Sequence, residues 1–229
     1  MKKLVLIFIL ITLAYGCKNM NNKMIISGNI NGLKKGSLIL KKQIDSTIIS
    51  LDSMKINGDS NFKLVTEIYE PDIYYLYLDK EDGDSLNDII TFFGNTGNIT
   101  INSRLKTFDS SYEINGSRNS ELLREYLSII RKYNLQNLDL LEIFYNAQID
   151  NNQNKIDSVN FELENLIRRR YLYSLNFAIT NAENEISPYI AVSQIPDANV
   201  ELLIKLYDTL SDKVKNSKYG KLLREIVVD

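Results

Sequence analysis

The chain contains no histidine. That absence removes serine–histidine–aspartate and cysteine–histidine catalysis, imidazole general bases and nearly all zinc sites. A single cysteine, Cys17, leaves no CxxC pair, no disulfide within the chain and no cysteine-held iron–sulfur cluster. Excess positive charge is missing too, with 27 Lys+Arg against 29 Asp+Glu. A nucleic-acid binder needs a positive footprint, so that class is set aside. The longest apolar run, Leu4 to Leu13, is too short to span a bilayer as a helix. What remains is a chain of 229 residues, 44% apolar, with room for one or two domains with real cores. No cofactor, no metal and no enzymatic activity are expected from these residue types.

The first residues read as an export signal. Lys2 and Lys3 form a basic start, Leu4 to Leu13 an apolar segment, and Ala14-Tyr15-Gly16 a cleavage point with small residues. Cleavage after Gly16 makes Cys17 the first mature residue, as in a bacterial lipoprotein whose cysteine is acylated. The same residues also fit an ordinary small-x-small cleavage site, which would release a soluble chain with a free thiol. Lipidation is the expectation, because an odd cysteine in an exported chain otherwise needs its own explanation. One acyl chain anchors only marginally, at about 0.8 kcal/mol per buried methylene, so lasting attachment takes several chains. Lys18 to Lys23 is asparagine-rich and reads as a tether. Without Lys2 and Lys3 the mature chain carries 25 basic against 29 acidic groups, a net charge of −4. No acidic run follows Cys17, which favours the outer membrane with the protein facing the periplasm.

The mature chain divides into a strand half, 24–116, and a helix half, 117–229. Met24, Ile26 and Ile30 share one face of a first strand, with Ser27, Asn29 and Asn31 opposite. Further strands are expected at Ser37 to Lys42, Ile48 to Ile56, Phe62 to Ile68, Ile73 to Leu78, Ile89 to Phe93, Asn98 to Asn102 and Tyr112 to Ile114, joined by turns such as Asn57-Gly58. Many short strands predict an antiparallel β-sandwich or small barrel. At Asn115-Gly116-Ser117 the period changes to 3.6, with Ser117 as a cap. The spacing predicts one helix through Tyr133, another over Leu138 to Ile149, and a long one over Lys155 to Asn181. The long one carries an inward stripe that includes Ile167 and Ser174. Shorter helices are expected from a Ser187 cap to Gln194, from Pro196-Asp197 through Leu210, and over Lys221 to Ile226. The fold class is α+β.

Several motifs then line up in order: Ile26-Ser27-Gly28-Asn29-Ile30-Asn31-Gly32, Leu51-Asp52-Ser53, Asn57-Gly58, Phe62, and Glu70-Pro71-Asp72-Ile73-Tyr74-Tyr75-Leu76. Gly97-Asn98-Ile99-Thr100-Ile101, Asn115-Gly116-Ser117 and Asn216-Ser217-Lys218-Tyr219-Gly220-Lys221 follow. Their order and spacing resemble the domain of unknown function 4369 family. The resemblance implies an exported, often lipid-anchored module of a Gram-negative envelope: a β-rich domain with a helical extension, frequently ahead of a thioredoxin-like domain. Here the chain ends at Asp229 without a CxxC. The family supplies no catalytic residues to carry over.

Each candidate site competes with a structural role. Asp79, Glu81, Asp82, Asp84 and Asp88 form an acidic loop, but Gly83 lies one place too early for an EF-hand, so the loop reads as solvated. Tyr69, Tyr74, Tyr75 and Tyr77 offer a stacking platform for a sugar or other flat ligand, with Tyr74, Tyr75 and Tyr77 the candidate ligand-binding residues. Strand alternation places half of them in the core. Arg168-Arg169-Arg170 fans around a helix rather than forming a patch, with Arg170 nearest the apolar stripe. Ser37, Ser53 and Ser117 have no imidazole to activate them. Glu121 and Glu125 share a helix face, an arrangement usually solvated. The expected function is a membrane-anchored, non-catalytic interaction module, whose partner is a thioredoxin-like or other envelope protein. The alternative is a small-molecule or glycan binder using the tyrosine-rich sheet face, with a pocket between sheet and helices lined by Tyr74 or Tyr75. A carboxylate-based hydrolase ranks last.

Overall fold

The computed structural model describes residues 22–80 and 88–228. The signal segment, Cys17, most of the tether, and Glu81, Asp82 and Asp84 of the acidic loop lie outside the described residues. Eight strands form two four-stranded sheets. They are β1 (Lys23–Asn31), β2 (Lys35–Ile44), β3 (Thr47–Asn57), β4 (Asn61–Glu67), β5 (Asp72–Asp79), β6 (Asp88–Gly94), β7 (Gly97–Arg104) and β8 (Glu113–Asn115). One sheet has the order β4-β1-β7-β8 and the other β3-β2-β5-β6, so the fold is a sandwich rather than a closed barrel. All neighbours are antiparallel except β1 and β7, which run parallel.

Alternation builds the core between the sheets. Met24, Ile26 and Ile30 of β1 meet Leu38 and Leu40 of β2, Tyr74, Leu76 and Leu78 of β5, and Ile90 and Phe92 of β6. Gly28 lies on the same inward face of β1. A Cβ there would sit 1.7 Å from the Ile101 carbonyl oxygen, so only glycine lets β7 pass so close. One side of the sandwich is closed where β3 passes into β4, and there the Asp52 carboxylate accepts from the Val65 N–H at 2.8 Å. The other side, between the edges of β6 and β8, is covered by helix.

That helix is α1 (Arg118–Ile149). Gly116, at φ +96°, turns the chain out of β8, and the Ser117 hydroxyl accepts from the Ser120 N–H at 3.4 Å. The expected break between Tyr133 and Leu138 is not there. That stretch is polar but holds no proline or glycine, so nothing interrupts the backbone ladder. Asn151, at φ +55°, turns the chain back, and Asn152 caps α2 (Gln153–Thr180) by accepting from the Lys155 N–H at 3.1 Å. Within the stripe of α2, Ser174 is buried but Ile167 is 65% exposed, because it lies off the line that faces α1.

Among the described residues four shorter helices follow: α3 (Ile186–Gln194), α4 (Val200–Thr209), α5 (Asp212–Lys215) and α6 (Lys218–Val228). Ser187 is not the cap of α3. It sits inside the first turn and donates to the Ala178 carbonyl at 2.7 Å. The capping acceptor comes instead from α1, where Asn119 Oδ1 accepts from the Ile186 N–H at 3.0 Å. Likewise α4 starts after Pro196, with Asn199 accepting from the Glu201 N–H at 2.8 Å. A second core joins α1, α2, α3, α4 and α6 to the outer face of the sheet through Ile73 and Phe93.

Candidate functional site

Strand alternation separates the tyrosines. In β5, Tyr74 points between the sheets and is 1% exposed, while Tyr75 and Tyr77 point outward and are half-buried. The three therefore do not form one platform. Tyr69 stands outside the strand and is exposed. On the outer face Tyr75 and Tyr77 meet edge to face at 6.4 Å, and the Lys41 ammonium sits 4.0 Å over the Tyr77 ring. A sugar stacking there would have to displace that lysine. Arg168, Arg169 and Arg170 are all exposed.

Two motifs far apart in sequence meet at Asp72. Asp72 opens β5, and its side chain is 4% exposed. The Tyr219 hydroxyl donates to Oδ1 at 2.6 Å, and the Lys218 ammonium approaches Oδ2 at 2.8 Å. Lys42 of β2 reaches Oδ2 at 2.9 Å, and the Ile73 N–H donates to Oδ1 at 2.9 Å. Burial pushes this carboxyl up, but the bonds from Lys218, Lys42, Tyr219 and Ile73 outweigh it and hold it below its ordinary value. Burial and then the Asp72 charge push the Tyr219 hydroxyl far up, so it stays a donor. Around this lock Phe93, Tyr189 and Tyr219 form an aromatic triangle, with centroids 5.0 to 5.9 Å apart. Every lone pair is taken by an element that must be held in place, so this carboxylate joins the two halves of the molecule.

Glu185 plays a similar part between helices. Asn119 donates to its Oε2 at 2.7 Å, and the Lys213 ammonium lies 3.0 Å from Oε1. Burial pushes it up, and those partners bring it below the ordinary range. In the sequence Asp72, Lys218 and Tyr219 stand only within local motifs, with nothing in either segment that points to the other. The available signal was an acid at the head of an otherwise apolar strand, right after Pro71.

A cleft lies where α1 leaves the sandwich. It measures about 610 Å³, between β6, the segment 109–112 and α1. Ile89 and Thr91 form one wall, Tyr112 the end, and Leu127, Ile130 and Arg131 the other wall. It is a pocket between sheet and helices, but neither Tyr74 nor Tyr75 lines it. Arg131 pairs with Asp109 at 3.3 Å, and the Arg124 guanidinium stands 5.7 Å from the Tyr112 ring centre. Burial pushes the Tyr112 hydroxyl up to about 12. Among the described residues no group of three or more acidic or cysteine side chains is placed to hold a metal ion.

Beyond the cleft the α1–α2 hairpin runs free of both cores. Neither core contains a residue between 134 and 172. At 1.5 Å per residue α1 is about 48 Å long, and only its first half packs on the body. Leu135, Leu138, Tyr145 and Ile149 recur at helical spacing along one face, and all are at least half exposed.

The family model for the domain of unknown function (DUF4369) matches residues 24–123. Over those residues the chain is similar to this family. The matched segment runs through the strands to the first turns of α1. The β6 wall of the cleft and Asp72 fall within the match, whereas Lys218 and Tyr219 lie beyond it. No curated protein is similar enough to the chain to match it.

Proposed function

We propose that this chain is an exported, lipid-anchored accessory module that holds a protein partner beside the membrane and performs no reaction itself. The observation that carries this reading is the apolar row Leu135, Leu138, Tyr145 and Ile149 on an arm outside both cores. Apolar side chains set along one helix face suit contact with another protein. The two most buried acids among the described residues, Asp72 and Glu185, support a non-catalytic reading, since lysines, an amide, a backbone N–H and a phenol hold them. Anchoring rests on Lys2-Lys3, the apolar segment to Leu13 and Cys17. The site of action is the cell envelope, at the outer membrane facing the periplasm, and a thioredoxin-like protein is the partner class that the family resemblance suggests.

Two measurements on the protein expressed from its full reading frame test this. The intact mass of the mature product should begin at Cys17 and carry acyl chains. A photoreactive amino acid at Leu138 should give one discrete protein adduct in intact envelopes, and the same probe at exposed Glu201 should give none. A free thiol at Cys17, or no adduct from Leu138, counts against the reading.

A further inference from the structure

Among the described residues, the outer edge of β6 is closed over part of its length and open over the rest. At Phe93 the Ser120 hydroxyl accepts from the N–H at 3.2 Å and donates to the carbonyl, and Ser117 donates to the same carbonyl at 3.2 Å. Those bonds show that the N–H and C=O of Phe93 point away from β5. In an antiparallel ladder that direction repeats every second residue. Ile89 and Thr91, facing Tyr77 and Tyr75 in register, therefore also turn their N–H and C=O outward. Where Phe93 meets serine hydroxyls that imitate a neighbouring strand, Ile89 and Thr91 meet the cleft. The cleft's volume of about 610 Å³ falls within the about 300–1,000 Å³ usual for ligand-holding sites.

We propose that the open length of β6 accepts an extended segment of a protein partner as an added strand. This rests on the reading of the chain as a protein-binding module, and names the mode of binding at a second place on it. Two outward N–H and two outward C=O groups at strand spacing are matched in number and direction by extended backbone. The opposite wall defines the side chains of that segment. It carries Tyr112, Leu127 and Ile130 with Glu121, Arg124 and Glu125 beside them, and Arg131–Asp109 closes one end as an ion pair. A short uncharged segment that alternates apolar and hydroxyl-bearing residues meets both kinds of side chain.

The test uses the full mature protein and the capped peptide acetyl-Thr-Val-Thr-Val-Thr-amide as probe. Hydrogen exchange followed by NMR should show the Ile89 and Thr91 amides open in the free protein and protected, saturably, by the peptide. The same peptide N-methylated on alternate amides should not protect them. Thr91→Pro removes one outward N–H and leaves the bonds to β5 intact, as proline at a free edge allows. It should weaken binding about tenfold, the cost of about one unreplaced backbone bond. Ser128→Trp fills the cleft from an exposed position and should abolish binding even if the proline variant folds poorly. Protection of both amides without peptide, by a second copy or by another segment of this chain, overturns the proposal. So does binding that survives Ser128→Trp, or no protection at millimolar peptide. If Ser128→Trp removes peptide protection but Leu138 still crosslinks, both readings stand. If Leu138 crosslinks and the peptide does not bind, only the added strand fails.

Discussion

Removing the Asp72 carboxylate should uncouple the sandwich from the helices. Asp72→Ala strands four donors: the Tyr219 hydroxyl, the Lys218 and Lys42 ammoniums and the Ile73 N–H. The lysine side chains are 35% and 23% exposed, so their heads can turn to water. Tyr219 is buried and its hydroxyl cannot. A buried donor left without its partner costs about 1–3 kcal/mol, and breaking a buried ion pair costs about 3–5 kcal/mol. Solvent access of the two lysines places the total at about 3 kcal/mol. Tyr219→Phe removes one charge-assisted bond and should cost about 1.5–2 kcal/mol. Urea unfolding reports both, with far-ultraviolet dichroism for the helices and tyrosine fluorescence as a second probe. Asp72→Ala should lower the helical transition first and split one transition into two. A cycle of Asp72→Asn and Tyr219→Phe should show coupling above about 1 kcal/mol. A loss below about 1 kcal/mol for Asp72→Ala, or additive single changes, would refute the lock.

Other outcomes follow from the same geometry. Asp72 and Glu185 are both held below their ordinary values, so their stabilisation is complete above the unfolded values near about 4 and disappears as pH falls through the folded ones. An acid titration of unfolding free energy should therefore fall below about pH 4, with a shallower fall in the Asp72→Asn, Glu185→Gln variant. Gly28→Ala drives a methyl into the Ile101 carbonyl oxygen and should cost more than about 3 kcal/mol, read as a lower urea midpoint. Ser120→Ala leaves the Phe93 N–H without its hydroxyl partner and should cost about 1–2 kcal/mol, with faster amide exchange at Phe93.

The strands were readable because each inward face is a simple alternation closed by a turn. Met24, Ile26 and Ile30 in β1 and Tyr74, Leu76 and Leu78 in β5 announce their side of the sheet without help from tertiary contacts. Ser117 announced α1, because a serine after Asn115-Gly116 and before an apolar stripe has few other uses. The start of α3 was misread because its capping acceptor, Asn119, is 67 residues away in sequence. A local pattern favours Ser187-Pro188, and tertiary contact decides otherwise. The joint at Asp72 escaped for the same reason, with its tyrosine 147 residues distant. The tyrosine cluster was visible as composition, yet strand alternation sends Tyr74 one way and Tyr75 and Tyr77 the other. The cleft needed three segments brought together, which no spacing in one segment encodes.

The proposed role is tested most directly by what the protein retains when purified from cell envelopes under mild detergent. The account predicts a partner in fixed stoichiometry with the wild type. A variant with Leu135, Leu138, Tyr145 and Ile149 all changed to serine should lose it while staying folded and membrane-bound. A wild type that comes off the membrane alone, or a serine variant that keeps the same partner in the same ratio, would contradict the account.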